Sequence, residues 1–452
     1  MDFTGPFKRW ASWLPYGVKQ GGEYRAWSRF LKDAEGWPRE RIEHWQMDRL
    51  RKVIRHAVQH TEGYRELYRK AGVCAEDMRS PADLQRLPMV TKQMLQENLA
   101  AFTATTPGAR YSTTGGSTGI PFGFYDTPAD DRRERAFMHA GWRRAGWDHR
   151  MPVAALRGVF IGSRDETWRY DRFWNTLHLT SYYLTPQKLP TYVEMLDRHH
   201  IEVLHAYPSS FLLFCDLLAE SGLKLRTAPR LAMLGSETLY EWQLARIAEV
   251  LPETRVFSWY GHAEMVVLAP WCEHSRRFHV WPFYGMAEIL DEHGAPVSEG
   301  GEGEIVGTSL HVRPTPFIRY RTMDTAVKGP EQCQDCGRPF PTLERVMGRL
   351  QEVIVTSTGR YISMTAINFH DRIFDRLRQF QFLQETPSKL VFRYVPKSPL
   401  TGAEELGIRE GLMKKLGDDI ELQMRETDLI ELTANGKLRF LDQRLPVKYG
   451  SR

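Results

Sequence analysis

The sequence predicts an α/β chain in two parts: a large N-terminal domain over residues 1–348, with βαβ units and a β-rich stretch, and a small α+β C-terminal domain over residues 349–452. Three observations lead there. Between Val153 and Leu234, short apolar runs of strand length alternate with runs of helical period, as parallel strands joined by crossover helices require. From about Val256 to Thr325 the helical period fades, and glycine, proline and β-type runs such as Gly303–Ser309 and Phe317–Arg321 take over. After Gly348-Arg349 a helix-and-strand pattern restarts and continues for the length of a small domain.

Arg39–Gly72 reads as helix, because Leu50, Val53, Ile54, Ala57 and Val58 recur at three and four residues and a glycine closes the run. Val153–Ile161 reads as a buried strand, Leu189–His200 as helix, Val203–Ala206 as strand, Ser209–Ala219 as helix and Leu231–Leu234 as strand. In the C-terminal part, strands are expected at Val353–Val355, Phe380–Leu383, Leu390–Val395 and Ile420–Met424, with helices near Ala366–Arg378 and at Ala403–Leu416.

A chain of 452 residues is too long for one small binding module, and its 42% hydrophobic, 26% charged composition is that of a globular protein. The surplus of +5 charges is spread too thinly to require nucleic acid. Met1–Gln20 has no apolar core of signal-peptide length, and no run of about 18 apolar residues suggests a membrane span. Five scattered cysteines argue against a disulfide framework, so a cytoplasmic setting is expected. The 13 Trp, 18 Tyr and 22 Phe are the compositional excess, and such rings commonly line pockets for flat or apolar ligands.

The segment Tyr111-Ser-Thr-Thr114-Gly-Gly116-Ser117-Thr118-Gly119-Ile-Pro121 packs hydroxyls and glycines too densely for helix or strand. Its backbone amides and hydroxyls suit an anion, so a phosphate-gripping loop is one reading and a plain turn another. A third is a hydrolase nucleophile elbow at Ser117, from Gly115-x-Ser117-x-Gly119; that motif needs a helix directly after the serine, whereas Phe122–Tyr125 reads as a strand.

Further segments appear in a telling order. Tyr260-Gly261-His262-Ala263-Glu264, Tyr320-Arg-Thr-Met-Asp324, Gly348-Arg349-Leu-Gln-Glu352 and Asn435-Gly-Lys437 follow the Thr114–Pro121 loop. Together the five resemble the motifs of the ANL superfamily of adenylate-forming enzymes, within it the phenylacetate-CoA ligase-like group that includes CapK-type proteins, from about Arg39 to Phe440. The resemblance implies an AMP-forming ligase that joins a carboxylic acid to ATP as an acyl-adenylate, releases pyrophosphate and passes the acyl group to coenzyme A. An amine of a sugar or amino acid is the alternative acceptor. It further implies that Thr114, Gly116, Ser117, Thr118 and Gly119 hold the ATP phosphates, with Gly235, Ser236, Glu237, Gly261 and His262 among the nucleotide contacts. Tyr260 would stack on adenine, Asp324 would take the ribose hydroxyls with help from Arg349, Glu264 would meet Mg2+, and Lys437 would bridge carboxylate and α-phosphate. The small domain would turn about Gly348–Gln351 between the two steps. A homodimer is allowed. Ala263 stands where relatives often carry Thr, Met323 where they carry Gly, and Gln351 where they carry Asp or Lys. Two rival readings remain: a serine hydrolase using Ser117, and a nucleotide-binding protein without catalysis, against which Lys437, Asp324 and Glu264 speak.

Cys333-x-x-Cys336-Gly337 has the form of a zinc knuckle, and upstream Cys272 with His279 or His274 completes four ligands for a structural Zn2+. His279, between Phe278 and Val280, is preferred. Cys74 and Cys215 read as buried apolar residues, the pairs Arg132-Arg133, Arg143-Arg144 and Arg276-Arg277 as solvated faces, and His199-His200 as cations at a helix end. His262 reads either as a contact to acyl group or phosphate or as structural. Phe160, Tyr207, Trp168 and Trp174 are the candidates for lining an acyl pocket, which points to an aromatic or bulky acid.

Overall fold

The computed structural model describes residues 14–113, 122–159, 161, 166–349, 353–358, 361–363, 376–433 and 438–445. These form two compact units of interleaved sequence, one from residues 14–147 and 259–346, the other from 148–258 and the segment after 347.

The second unit carries the parallel sheet. Its strands lie in the order Trp168–Asp171, Thr176–Thr180, Val153–Arg157, Val203–Ala206, Leu231–Gly235 and Arg255–Gly261, the last running on in the chain into the first unit. Val153–Arg157 pairs in parallel with Thr176–Thr180 and with Val203–Ala206, which pairs in parallel with Leu231–Gly235. Helices Leu189–Arg198, Pro208–Ser221 and Glu241–Val250 make the crossovers. Pro208 opens its helix at a position where no amide is needed, and Gly222 closes it at φ 69°. Leu156, Leu179, Leu204, Phe211, Phe214, Cys215 and Leu234 fill the core between sheet and helices. The C-terminal segment adds a four-stranded sheet, ordered Glu421–Glu426, Lys389–Pro396, Leu377–Thr386 and Leu441–Gln443, packed on helix Gly402–Leu416. Within this unit Trp242 packs against Phe380 and Phe440 at 5.9 and 6.3 Å, and Arg378 pairs with Glu220 at 2.8 Å.

The first unit begins with helices Tyr16–Gln20, Gly22–Ala34, Arg39–His60 and Glu62–Ala71, continues through the hairpin Arg110–Thr113/Gly123–Asp126 and helix Pro128–Arg144, and ends in a β-rich part. There five strands lie in the order Phe278–His279, Thr342–Arg349, Tyr320–Lys328, Glu302–Ser309 and Gly285–Leu290. No described helix is long and apolar enough to cross a membrane.

Several expectations need correction. The single helix over 39–72 is two, because Thr61 is extended (φ −131°, ψ 136°) and its amide and hydroxyl both cap the Ala57 carbonyl, at 2.9 and 2.7 Å. The strand expected over 153–161 stops at Arg157, whose carbonyl takes the Val159 amide in a tight turn of 2.8 Å. Of the helix expected near 366–378, residues 364–375 lie outside the described set, and Leu377 and Arg378 belong to the strand Leu377–Thr386. Cys215 is buried as expected, but Cys74 is exposed, at the mouth of the short turn Ala75–Asp77. The arginine pairs are split rather than solvated. Arg132, Arg143 and Arg276 are exposed, whereas Arg133 turns in to Asp130, Arg144 to Glu35 and Arg277 to Glu344 and Asp335. On a helix, neighbours point about 100° apart, so both members of a pair cannot share one wet face. His199 stacks on Tyr170 at 4.2 Å, and burial lowers its pKa, which opposes the cation expected at that helix end.

Part of the aromatic excess packs against the core. Trp27, Phe30, Trp37, Trp45 and Phe283 interlock with centroid separations of 5.2 to 5.6 Å in the core of the first unit. Of the acyl-pocket candidates, Phe160 lies outside the described residues. Tyr207 sits 4.4 Å from the Arg157 guanidinium, Trp174 packs on Phe173 at 4.7 Å, and Trp168 is an exposed edge residue 6.2 Å from His199. Nothing among the described residues tests whether those three line one pocket.

Candidate active site and metal centre

The strand Arg255–Gly261 delivers Tyr260 to the start of a loop that carries His262 and Glu264. Tyr260 is buried, and its phenol donates to Asp324 Oδ2 at 2.7 Å, joining two segments 64 residues apart. Burial, and then the Asp324 charge, push the Tyr260 hydroxyl well above its usual pKa, so it remains a donor. Asp324 follows Met323, which adopts φ 63°, a conformation that a glycine would take at little cost. The Met323 amide donates to Glu304 Oε1 at 3.1 Å, and Arg321 holds the other oxygen of Glu304 at 2.8 Å. The departure from Gly at this position therefore keeps the turn.

Glu264 is nearly buried and held from two sides. Tyr320 donates its hydroxyl to Oε1 at 3.0 Å, and His262 Nδ1 lies 3.1 Å from Oε2. The Val267 amide donates to His262 Nε2 at 3.4 Å, so Nε2 is the acceptor and Nδ1 carries the proton directed at Glu264. Burial alone would raise the Glu264 carboxyl, but the His262 and Tyr320 contacts outweigh it and bring the pKa down to about 2. An ionised carboxylate with hard oxygens is what magnesium takes. His262 thus serves as the group that orients and charges Glu264.

Beneath the loop, Arg313 donates to the Glu264 carbonyl, lies between the rings of Phe124 and Phe317 at 5.6 and 5.5 Å, and sits 3.7 Å from Asp130. Asp130 itself caps helix Pro128–Arg144 by accepting from the Thr127 amide at 2.8 Å. Sequence reasoning missed Arg313, Asp130 and the role of Tyr320. Tyr320 stands inside a quoted motif, but nothing in the chain order announces Arg313 or Asp130.

Thr114, Gly116, Ser117, Thr118, Gly119 and Lys437 lie outside the described residues, as does the Arg349 side chain. The strands flanking the glycine-rich loop are described, and they pair antiparallel, Thr113 opposite Gly123. The described chain resumes as the strand Gly123–Asp126, as expected from Phe122–Tyr125, at a point where a nucleophile elbow at Ser117 calls for helix. In the other unit, Ser236 (φ 70°) accepts from Arg157 at 2.8 Å, and both Glu237 oxygens accept from Ser209, amide and hydroxyl each at 2.9 Å, capping helix Pro208–Ser221. Gly235 ends its buried strand.

Cys272, His279, Cys333 and Cys336 converge, with their ligand atoms all within 4.8 Å of one another. Cys272 Sγ and Cys333 Sγ are 3.9 Å apart, far beyond a disulfide, and His279 Nε2 is 3.6 Å from Cys336 Sγ. A zinc tetrahedron with Zn–S bonds of about 2.3 Å has S···S edges of about 3.8 Å, so the donor set fits that ion. Burial raises the Cys333 thiol to about 12 and lowers His279 to about 3. His279 reaches the cluster because its strand pairs with Leu343 and Thr342, whereas exposed His274 only donates its amide to Cys272 Sγ at 3.4 Å.

The chain is similar to the phenylacetate-coenzyme A ligase of Thermus thermophilus, 26% identical over 343 residues, covering 72% of this chain and 74% of the relative. It is 25% identical to the Escherichia coli phenylacetate-coenzyme A ligase, over 69% of this chain and 71% of that one, and 21% identical to Protein CapK of Staphylococcus aureus, over 87% and 88%. These similarities support the resemblance to adenylate-forming ligases that the five motifs carry. No protein-family model matches the chain. The fold is that of a solved 2-hydroxyisobutyryl-CoA ligase in its postadenylation state (TM-score 0.72, 20% identity, 96% and 94% coverage). It also resembles an acyl acid amido synthetase (TM-score 0.60, 14% identity, 88% and 87% coverage). These ligase relatives lend no support to a serine hydrolase at Ser117, and that reading is withdrawn.

Proposed function

We propose that the chain is an AMP-forming acid–CoA ligase: a carboxylate attacks the α-phosphorus of ATP, pyrophosphate leaves, and the acyl-adenylate passes its acyl group to the coenzyme A thiol. The observation that carries this is the Tyr260–Asp324 hydrogen bond beside Glu264, which unites two motif loops in one buried, charged site. In this reading Ser117, Thr118 and their neighbours grip the phosphates, Glu264 holds Mg2+, and Asp324 binds the ribose, oriented by the Tyr260 phenol. Arg349 assists from the domain boundary. Lys437 neutralises charge developing between carboxylate and phosphate, where a positioned donor or cation contributes most. The lid division at 348/349 belongs to the same proposal. Gly348, at φ 96°, has the backbone freedom a pivot needs. The four-ligand cysteine–histidine cluster holds a structural Zn2+. ATP and coenzyme A as co-substrates go with a cytoplasmic setting.

The similarity to phenylacetate-coenzyme A ligases makes arylacetic acids the first substrates to try, and the amido synthetase neighbour keeps an amine acceptor as the second reading. ATP–pyrophosphate exchange across aryl, indolyl, fatty and uronic acids, followed by product analysis with coenzyme A or amines, tests both. Lys437→Ala should cut exchange by about a thousandfold with a smaller effect on transfer from preformed adenylate. Unchanged exchange in that variant removes the assignment of Lys437.

A further inference from the structure

A cleft of about 640 Å³ opens in the first unit between helix Gly22–Ala34, the end of helix Pro128–Arg144 and the cysteine loops. Six cationic side chains line it, Arg25, Arg29, Lys32, Arg143, Arg144 and Arg338, against two carboxylates, Glu35 and Glu273. Arg25, Arg29 and Lys32 recur at four and three residues, so they share one face of their helix. Among the described residues, none of these three, nor Arg143, is in an ion pair.

The two carboxylates are already spent. Arg338 takes Glu273 through both terminal nitrogens, at 2.9 and 2.7 Å, and both Arg338 Nε and Arg144 Nε reach the same Glu35 oxygen, at 3.1 and 2.9 Å. Arg144 is left over. Its side chain is only 6% exposed, its guanidinium lies 4.1 Å from the Trp281 ring, and its Nη1 and Nη2 are buried with no partner among the described residues. Ser28 Oγ and Trp281 Nε1 line the same cleft and are buried and unpartnered too. Unmet buried donors are rare in folded proteins. Four in one cleft, under three unpaired cations of a single helix face, call for an acceptor-rich anion.

We propose that this cleft binds a phosphorylated small molecule. Guanidinium forks match phosphate oxygens two at a time, and the hydroxyl and indole supply single donors. The size is that of a small-ligand site rather than a peptide groove, and the floor of Leu31, Ala140 and Trp281 accepts an apolar or flat portion of the ligand. Because Glu273 follows Cys272 and Arg338 follows Cys336-Gly337, the metal-binding loops also shape this wall.

The test is calorimetric titration of the full chain, with the adenylation site filled by saturating AMP, using tripolyphosphate and adenosine 3′,5′-bisphosphate as probes. One equivalent of a probe should bind, and affinity should fall at least tenfold in R25E/R29E/K32E while ATP–pyrophosphate exchange is unchanged. Tighter binding of tripolyphosphate assigns the cleft to inorganic polyphosphate. Tighter binding of the bisphosphate assigns it to a nucleotide whose base uses the Trp281 floor. If the triple variant loses exchange activity, Arg29→Ala replaces it, with an expected loss of about threefold. Absence of binding by both probes, or equal binding by wild type and variant, overturns the proposal. Exchange is read separately, so failure here is distinct from failure of the ligase assignment.

Discussion

The Glu264 loop and the cysteine–histidine cluster start eight residues apart in the chain and reach stability by opposite routes. At Glu264 the protein supplies its own compensation: His262 and Tyr320 hold the carboxylate, and Tyr260 donates to Asp324, so charge is buried without a metal. At the cluster, three cysteines and a histidine face one another, and burial raises the Cys333 thiol and lowers the His279 imidazole, so the fold itself supplies no compensating charge there. In the proposed reading the first region presents hard oxygens to a substrate-bound ion, and the second is completed by a soft-ligand ion that stays.

That contrast breaks most sharply at Glu264. Glu264→Gln should lower ATP–pyrophosphate exchange by about a hundredfold or more while bound zinc and thermal stability stay as in the wild type. An active Gln variant would remove the magnesium role. Cys336→Ser should do the reverse: metal analysis falls from about one zinc per chain, and stability drops by about 4 kcal/mol in chemical denaturation, with activity lost only as the fold is lost. Wild-type protein with well under one zinc per chain would end the zinc reading. Tyr260→Phe removes one hydrogen bond to a charged partner, so about 1.5 kcal/mol, or roughly tenfold in the KM for ATP, is expected with kcat little changed. The smallest effect concerns pH. A carboxylate held down to about 2 contributes stability that is present above its ordinary pKa near 4.3 and lost as pH falls through about 2. Between pH 8 and 5 Glu264 stays ionised, so any acid limb of exchange in that window should persist unshifted when Tyr320 is changed to Phe. A limb that moves with Tyr320→Phe would show that Glu264 titrates there.

Much of the site was legible in the chain. Tyr260, Glu264 and Asp324 were named from two five-residue motifs, and Cys333-x-x-Cys336 announced its turn by spacing, with Gly337 at φ 73° where the backbone reverses. The partners of those residues were not. Arg313 and Asp130 approach Glu264 through folding over separations of 49 and 134 residues, and no local pattern encodes them. Composition counts rings but not their neighbours, and only the fold shows that Trp27, Phe30, Trp37 and Trp45 pack against the core. Charge pairs mislead, since Arg143 and Arg144 are adjacent in sequence and yet one is wet and the other sealed against Trp281.

By itself the sequence determined what depends on near neighbours along the chain: the alternation that makes a parallel sheet, the β-rich stretch, the hydroxyl- and glycine-dense loop and the knuckle spacing. Tertiary structure decided what depends on pairing distant strands. It chose His279 over His274 by setting its strand beside Thr342, gave Glu264 its proton donors, and turned one arginine of each pair inward. The physical reason is that backbone conformation and periodicity are local properties, while the partner that satisfies a buried charge is whichever side chain the packed elements bring within about 3 Å.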